Sequence, residues 1–261
     1  MDRRIPLTSA PNMRDLGGLP VDGGTVRTHE IYRSTMLAEL SDDDLRTFKE
    51  LGIHVVYDMR TKGERSAAPD RLPAGTEIVG LDVLADHSMD LAANLGQLSS
   101  NPEALADVLG SEQAETLMAQ TYRDFISLPS ARRAYQRFFQ GLADPGRGGA
   151  ALVHCTTGKD RTGWAAASLL LLLGADEQTV RDDYLQTNTD LLPALQPLMD
   201  MAAEHGVEPD LLLPILGVRE AYLDAALDQM ASRYGSIEDY FTGALNLQAS
   251  DLDALRSRFI S

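Results

Sequence analysis

The segment His154-Cys155-Thr156-Thr157-Gly158-Lys159-Asp160-Arg161-Thr162-Gly163 concentrates the residue types that handle a phosphoryl group. It leaves an apolar run, crosses a short polar loop and enters an Ala/Leu-rich run, with five residues between Cys155 and Arg161. If the chain wraps there, successive backbone N–H groups converge at a helix N-terminus and make a cradle for a tetrahedral anion. Thr156, Thr157, Gly158, Lys159, Asp160 and Arg161 would line it. Gly158 admits backbone conformations closed to other residues. The Arg161 guanidinium can fork two N–H bonds onto phosphate oxygens. The helix start, Lys159 and Arg161 all favour the thiolate of Cys155 over a thiol that ordinarily ionises near pH ~8.5. A thiolate beneath a bound phosphate can attack phosphorus in line, giving a phosphocysteine that water hydrolyses. The Thr162 hydroxyl could hydrogen-bond the sulfur and ease its departure. His154 either orients the loop through its ring nitrogens or is a satisfied buried histidine.

A lone Cys in an apolar strand is commonly an inert core residue. Cys155 instead ends its run and faces Gly, Lys and Arg across a loop–helix junction, the setting of a reactive thiol. The leaving oxygen needs a proton. Asp82, closing the apolar stretch Ile78 to Leu81, ranks first as its source. Asp160 ranks second, because a charge inside the loop repels a bound phosphate unless it is protonated or turned outward. Asp86 ranks third. Each of these aspartates also reads as an ordinary solvated side chain.

The pattern His-Cys-x5-Arg-Thr-Gly resembles the signature loop of the cysteine-dependent protein tyrosine phosphatase superfamily. Its fuller form, Cys-x-x-Gly-Lys-Asp-Arg-Thr-Gly, is similar to that of the bacterial tyrosine and phosphoinositide phosphatases. Asn12-Met-Arg-Asp-Leu-Gly-Gly18, Tyr32-Arg-Ser34, Val56-Tyr-Asp-Met-Arg60 with Glu64, and Gly217-Val-Arg-Glu-Ala-Tyr222 near Tyr234-Gly235 extend the resemblance over nearly the whole chain. It implies a phosphatase-type α/β fold with helices around a central sheet, and a mechanism without metal or cofactor. It implies phosphotyrosine proteins or phosphoinositides as substrates. The mid-chain loop sets the protein apart from the low-molecular-weight phosphatases, whose loop lies near the N-terminus. Lipid-directed members carry a lysine where Lys159 stands, which implies a second cation over a multiply phosphorylated substrate; the other reading is a solvated lysine balancing Asp160. The resemblance also implies a helical lid over the site. Arg14, Asp15, Asp58, Arg60 and Glu64 read as paired charges bracing the loops behind it.

These residues need elements to position them. Ser41 caps a helix whose first turn carries Asp42, Asp43 and Asp44, with Leu45, Phe48 and Leu51 on one face and Gly52 as its stop. Ile53 to Met59 predicts a strand, Ile78 to Leu84 a second, and Ala150 to Cys155 a third. Tyr135, Phe138, Phe139 and Leu142 share one helix face. Asp144 to Gly149 is a turn cluster, and Gly163 to Leu173 a buried helix. Residues 176–260 read as amphipathic helices broken near Pro193, Pro197, Pro214, Gly217 and Gly235. The stretch 85–127 is too long for an ordinary connection. It reads as two helices, either passive decoration or the lid. The whole predicts one α/β domain over residues 1–261 with a helical C-terminal half.

Composition narrows the partners. The chain has 261 residues, with 23 Lys and Arg against 39 Asp and Glu and a net charge of −16. That balance argues against a nucleic-acid binder. The longest apolar run, Trp164 to Leu173, is too short to span a bilayer at about 20 residues. The N-terminus holds Arg3 and Arg4 without an apolar stretch of signal-peptide length. A single Cys excludes an internal disulfide framework and a multi-Cys zinc site. A cytoplasmic enzyme is the default expectation, with leaderless export open. Two other functions compete with phosphatase: a rhodanese-type sulfurtransferase, which also sets a Cys in an anion-binding loop, and a non-catalytic phospho-binding module.

Overall fold

The computed structural model describes residues 3–86 and 111–261. Five strands form the main sheet: β1 (Arg14–Asp15), β4 (Ile31–Ser34), β5 (Ile53–Asp58), β6 (Glu77–Gly80) and β7 (Ala150–His154). They lie in the order β1-β4-β7-β5-β6. A separate ribbon pairs β2 (Pro20–Val21) with β3 (Gly24–Thr25). β1 is an antiparallel edge strand, and the other four strands of the sheet are parallel. Ser34 and Asp58 both pair with His154, and Asp58 with Gly80, so the parallel strands end together. Open α/β sheets bind ligands beyond that edge.

β7 is central and buried on both faces, which explains its unbroken apolar run. Ala151 and Val153 face the larger core, and Ala150 and Leu152 face the smaller one. The same two-residue period delivers Cys155 to the larger core. Four helices pack there: α3 (Ser111–Ser127), α4 (Pro129–Ala143), α5 (Arg161–Leu172) and the N-terminal half of α6 (Glu177–Glu204). α7 (Glu220–Tyr234) and α8 (Ala249–Phe259) complete that layer. The opposite face is covered by the N-terminal segment and α1 (Asp42–Glu50), capped by Ser41 as its sequence requires. The short α2 (Lys62–Ala67) follows β5. Among the described residues no helix is long and apolar enough to cross a membrane.

Several boundaries depart from the sequence reading. Pro193 and Pro197 do not break α6, which continues through both. They stand one turn apart on an exposed face, as does Thr189, so water can take the bonds that the missing N–H groups leave unmade. α5 begins at Arg161, two residues before Gly163. β6 ends at Gly80, leaving Asp82 in the turn beyond it. β4, α2 and the edge strand β1 had no expectation at all. Of the stretch 85–127, the structure describes residues 85–86 and 111–127. Ala114, Met118, Tyr122, Phe125 and Ile126 of α3 recur at helical spacing and are buried, the last four in the larger core. Residues 87–110, with the rest of the expected lid, lie outside the described residues.

Candidate active site

Cys155 follows β7 directly and is 1% exposed, and α5 starts at Arg161 with Asp160 as its N-cap. The loop between them rests on the end of β4. Gly158 has φ +66°, and a Cβ there would run into the Ser34 carbonyl and lie 2.8 Å from Thr35 N. Only glycine takes that conformation freely. The loop carbonyls are tied outward. Thr156 O accepts from Met36 N at 3.0 Å. Asn12 Nδ2 donates to Thr157 O and Gly158 O at 3.4 and 3.2 Å, and Arg33 Nη2 donates to Gly158 O at 2.9 Å. With these carbonyls engaged outside, the N–H groups of the turn are left for the enclosed side, the arrangement of an anion nest.

Arg161 closes the loop. Its Nη1 and Nη2 donate to Glu64 Oε2 and Oε1 at 2.8 and 2.9 Å, and Nη1 also reaches Met59 O at 3.4 Å. Glu64 sits in the first turn of α2, within a capping box. Thr61 N donates to Glu64 Oε2 at 2.7 Å, and Glu64 N donates to Thr61 Oγ1 at 3.2 Å. The Thr156 hydroxyl donates to the same carboxylate. Burial opposes the charge on Glu64, but the hydrogen bonds and charge of Arg161 outweigh it and hold the carboxyl well below the usual range. Burial likewise opposes the charge on Arg161; its bonds to Glu64 and the field of Cys155 hold it above the ordinary value.

Behind the loop, His154 is fully enclosed. Its Nδ1 lies 3.0 Å from Cys155 O and its Nε2 lies 2.9 Å from Asp70 Oδ2. Both ring nitrogens face acceptors, so the imidazole ties the loop's first carbonyl to Asp70. Arg60 Nη2 bridges Asp58 Oδ2 at 2.7 Å and Asp70 Oδ1 at 3.0 Å. Asp58, Asp70 and His154 bring potential ligand atoms within 4.8 Å of one another. The Arg60 guanidinium already meets both carboxylates, so this cluster suits an internal ion pair better than a bound cation.

Lys159 is buried, and its ammonium lies 2.8 Å from both oxygens of Asp160. Tyr122 Oη on α3 donates to Asp160 Oδ1 at 3.0 Å, and Tyr184 Oη on α6 donates to Tyr122 Oη at 2.6 Å. Burial first, and then Asp160, push both phenols upward, so both remain donors. Asp82 is occupied elsewhere: its Oδ2 accepts from Lys62 N at 2.8 Å, at the start of α2. Its Oδ1 is enclosed without a hydrogen-bond partner among the described residues. Asp86 accepts from Ser130 N at 2.6 Å and pairs with Arg133 at 3.3 Å. No hydrogen bond joins the Thr162 hydroxyl to the Cys155 sulfur; Thr162 Oγ1 and Ser34 Oγ are both enclosed without partners among the described residues.

Sequence reasoning ranked Glu64 only as a brace, named Asn12 only as the start of a segment carrying the resemblance, and missed Asp70 and Tyr122 around the loop. Thr61-x-x-Glu64 was a readable capping box that would have placed the Glu64 carboxylate at a helix start. Nothing local to Tyr122 or Asp70 marks them, because each meets the loop only through the fold.

A Cys-x5-Arg loop joining a central parallel strand to a helix, its arginine forked by a carboxylate, defines a cysteine-dependent phosphatase. The sequence model of the tyrosine phosphatase family matches residues 5–261, and the chain belongs to that family. It is 34% identical over 245 residues to a putative tyrosine-protein phosphatase of Cupriavidus necator, covering 92% of this chain and 84% of the other. It is 30% identical over 270 residues to the triple specificity protein phosphatase PtpB of Mycobacterium tuberculosis, covering 94% and 95% of the two chains. A tyrosine-protein phosphatase of Nostoc commune is 26% identical over 238 residues, 87% of this chain and 72% of the other. The protein is therefore a phosphomonoester hydrolase that works through a phosphocysteine.

Proposed function

We propose that Cys155 is the nucleophile, and that the amides of residues 156–161 with the Arg161 guanidinium hold the transferring phosphoryl group. One observation carries this reading: Cys155 and Arg161 stand at the two ends of a loop whose carbonyls at 156, 157 and 158 are engaged on its outside. As the P–O bond to the substrate breaks, the S–P bond forms and the leaving oxygen takes a proton. Asp160, ranked second from sequence, is the donor we favour: paired with Lys159 as a carboxylate in the free protein, it takes up the proton when a substrate phosphate draws Lys159 away. It belongs to the loop itself, whereas Asp82 lies in the turn after β6, with one oxygen at the α2 N-terminus. Water then attacks phosphorus, returning a proton to Asp160, and the sulfur leaves as thiolate, with the Thr162 hydroxyl, unpartnered among the described residues, free to bond it.

Lys159 supports a preference for substrates with a second anionic group. In the free protein it is neutralised by Asp160; a further phosphate would exchange that partner for one on the substrate. Phosphoinositides and multiply phosphorylated peptides have this chemistry, and the triple specificity named for the mycobacterial relative is compatible with both. The experiment is Cys155→Ser assayed on p-nitrophenyl phosphate with chelator present. Turnover disappears while orthovanadate binding persists, because the amides and Arg161 remain. Appreciable hydrolysis by the variant overturns the cysteine mechanism.

A further inference from the structure

The end of the sheet away from Cys155 carries a cleft of about 570 Å³. It opens where β5 and β6 begin and beside the turn that enters β7. Val55, Tyr57, Val79, Arg137 and Arg147 line it, with the His54 ring on one wall. That volume lies within the range of small-molecule sites. Nothing in the catalytic reading uses it.

Two polar side chains in this cleft are more than nine-tenths buried and incompletely partnered. Tyr57 is 3% exposed as a residue, and its hydroxyl, which makes no hydrogen bond to protein among the described residues, is the part that meets the cleft. Burial, reinforced by Glu77 and Asp144 against the opposing Arg147, pushes this phenol up to about 12, so it is a donor at neutral pH. α4 keeps Gly141 where the phenol passes, since a Cβ there would collide with the hydroxyl. Glycine inside a helix is otherwise unfavourable.

The second group is Arg147, whose side chain is 5% exposed and whose Nε has no partner among the described residues. Arg147 and Arg258 share one carboxylate, Glu30, at 3.3 and 3.1 Å, and Arg147 Nη1 also donates to Gly149 O at 2.7 Å. Arg137 is exposed on its wall with no ion pair among the described residues. Glu77 and Asp144 stand there too, and one Asp144 oxygen is taken by Gly146 N at 2.8 Å. Glu30, Glu77 and Asp144 match Arg137, Arg147 and Arg258 in number, so the cleft has no surplus charge to hold a ligand with more than one negative charge, and a single acid group must be met by the donors placed at the cleft.

We propose that this cleft is a second, non-catalytic site for a small aromatic monoanion, its acid group taken by Tyr57 Oη and the two arginines and its ring set against His54, Val55 and Val79. The inference is independent of the residues assigned at Cys155.

Benzoate is the probe, titrated by calorimetry and amide NMR into protein whose catalytic loop is saturated with orthovanadate. Saturable one-to-one binding is expected, with shifts at residues 54–57 and 141–149. Tyr57→Phe and Arg137→Ala should each weaken it about tenfold, the loss of one hydrogen bond or charge contact. Both variants should retain wild-type turnover of p-nitrophenyl phosphate. Benzylamine, of similar size and opposite charge, should not bind. Unsaturable binding, shifts confined to residues 155–161, unaltered affinity in both variants, or equal binding of benzylamine would each overturn the proposal.

Discussion

Arg161 and Glu64 face each other as two forks, with the two guanidinium Nη atoms on the two carboxylate oxygens at 2.8 and 2.9 Å. The pair couples the start of α5 to the start of α2, and α2 holds the carboxylate a second time through the Thr61 backbone. The guanidinium plane at the loop is therefore set by a helix remote in sequence. An arginine so held loses little freedom when a phosphoryl group arrives.

Glu64→Gln should lower kcat on p-nitrophenyl phosphate by about 10²-fold, the cost of misplacing a catalytic group by roughly 1 Å. Steady-state kinetics alongside circular dichroism checks this. A folded variant with wild-type kcat would show that Arg161 is held by something else.

Asp160→Asn should depress turnover more for alkyl phosphates, with poor leaving groups, than for p-nitrophenyl phosphate, because only the former need a protonated departure. Asp82→Asn should lack that dependence. Tyr122→Phe removes one donor from Asp160 Oδ1 and should lower kcat while leaving KM near its original value. If Asp82→Asn shows the leaving-group pattern instead, the proton comes from there.

Lys159→Ala should reduce turnover of phosphoinositides or doubly phosphorylated peptides at least about tenfold more than that of a monophosphotyrosine peptide, as loss of a charged hydrogen bond requires. Parallel kcat/KM measurements decide it. Equal losses on both substrates would assign Lys159 a general electrostatic role.

Gly158→Ala should abolish activity and lower thermal stability together. A Cβ at that position meets the Ser34 backbone, and the backbone sits at φ +66°. That conformation is strained for an L side chain. A fully stable, active variant would mean that the loop can leave β4.

Asp183 lies among Arg3, Arg14 and Arg33, with Arg14 Nε and Arg33 Nη1 at 3.0 and 2.8 Å. Burial opposes its charge, but the three arginines hold its carboxyl far below the usual carboxylate range. A depressed folded-state value contributes stability above the unfolded value of about 3.9 and loses it as pH falls below that. Asp183→Asn should cost about 3–5 kcal/mol at pH 7 by leaving buried guanidiniums short of a partner. The gap to wild type should narrow below pH ~4. Urea unfolding at pH 7 and pH 3 tests both the size and the sign.

What the sequence carried by itself was everything with a local cause. The apolar run 150–154, the polar turn and the Ala/Leu helix after it announce a strand–loop–helix junction, because side-chain period and helix start are written in neighbouring residues. The identity and spacing of Cys155, Gly158 and Arg161 then name the chemistry. Tertiary structure alone decided what surrounds them. β4 was too short and too mixed, at Ile-Tyr-Arg-Ser, to be read as a strand, yet its end carries the loop. Tyr122 stood in a stretch that looked like a cover, but α3 buries it and brings its hydroxyl to Asp160, 38 residues away in sequence. One Asp82 oxygen accepts from Lys62 N at the start of α2, a contact its own neighbours in sequence do not announce. Pro193 and Pro197 looked like stops, but tertiary contacts hold α6 on its other faces while water serves the face they occupy. Partners of charged and polar groups are chosen by packing across the sheet, and one-dimensional spacing has no access to those distances.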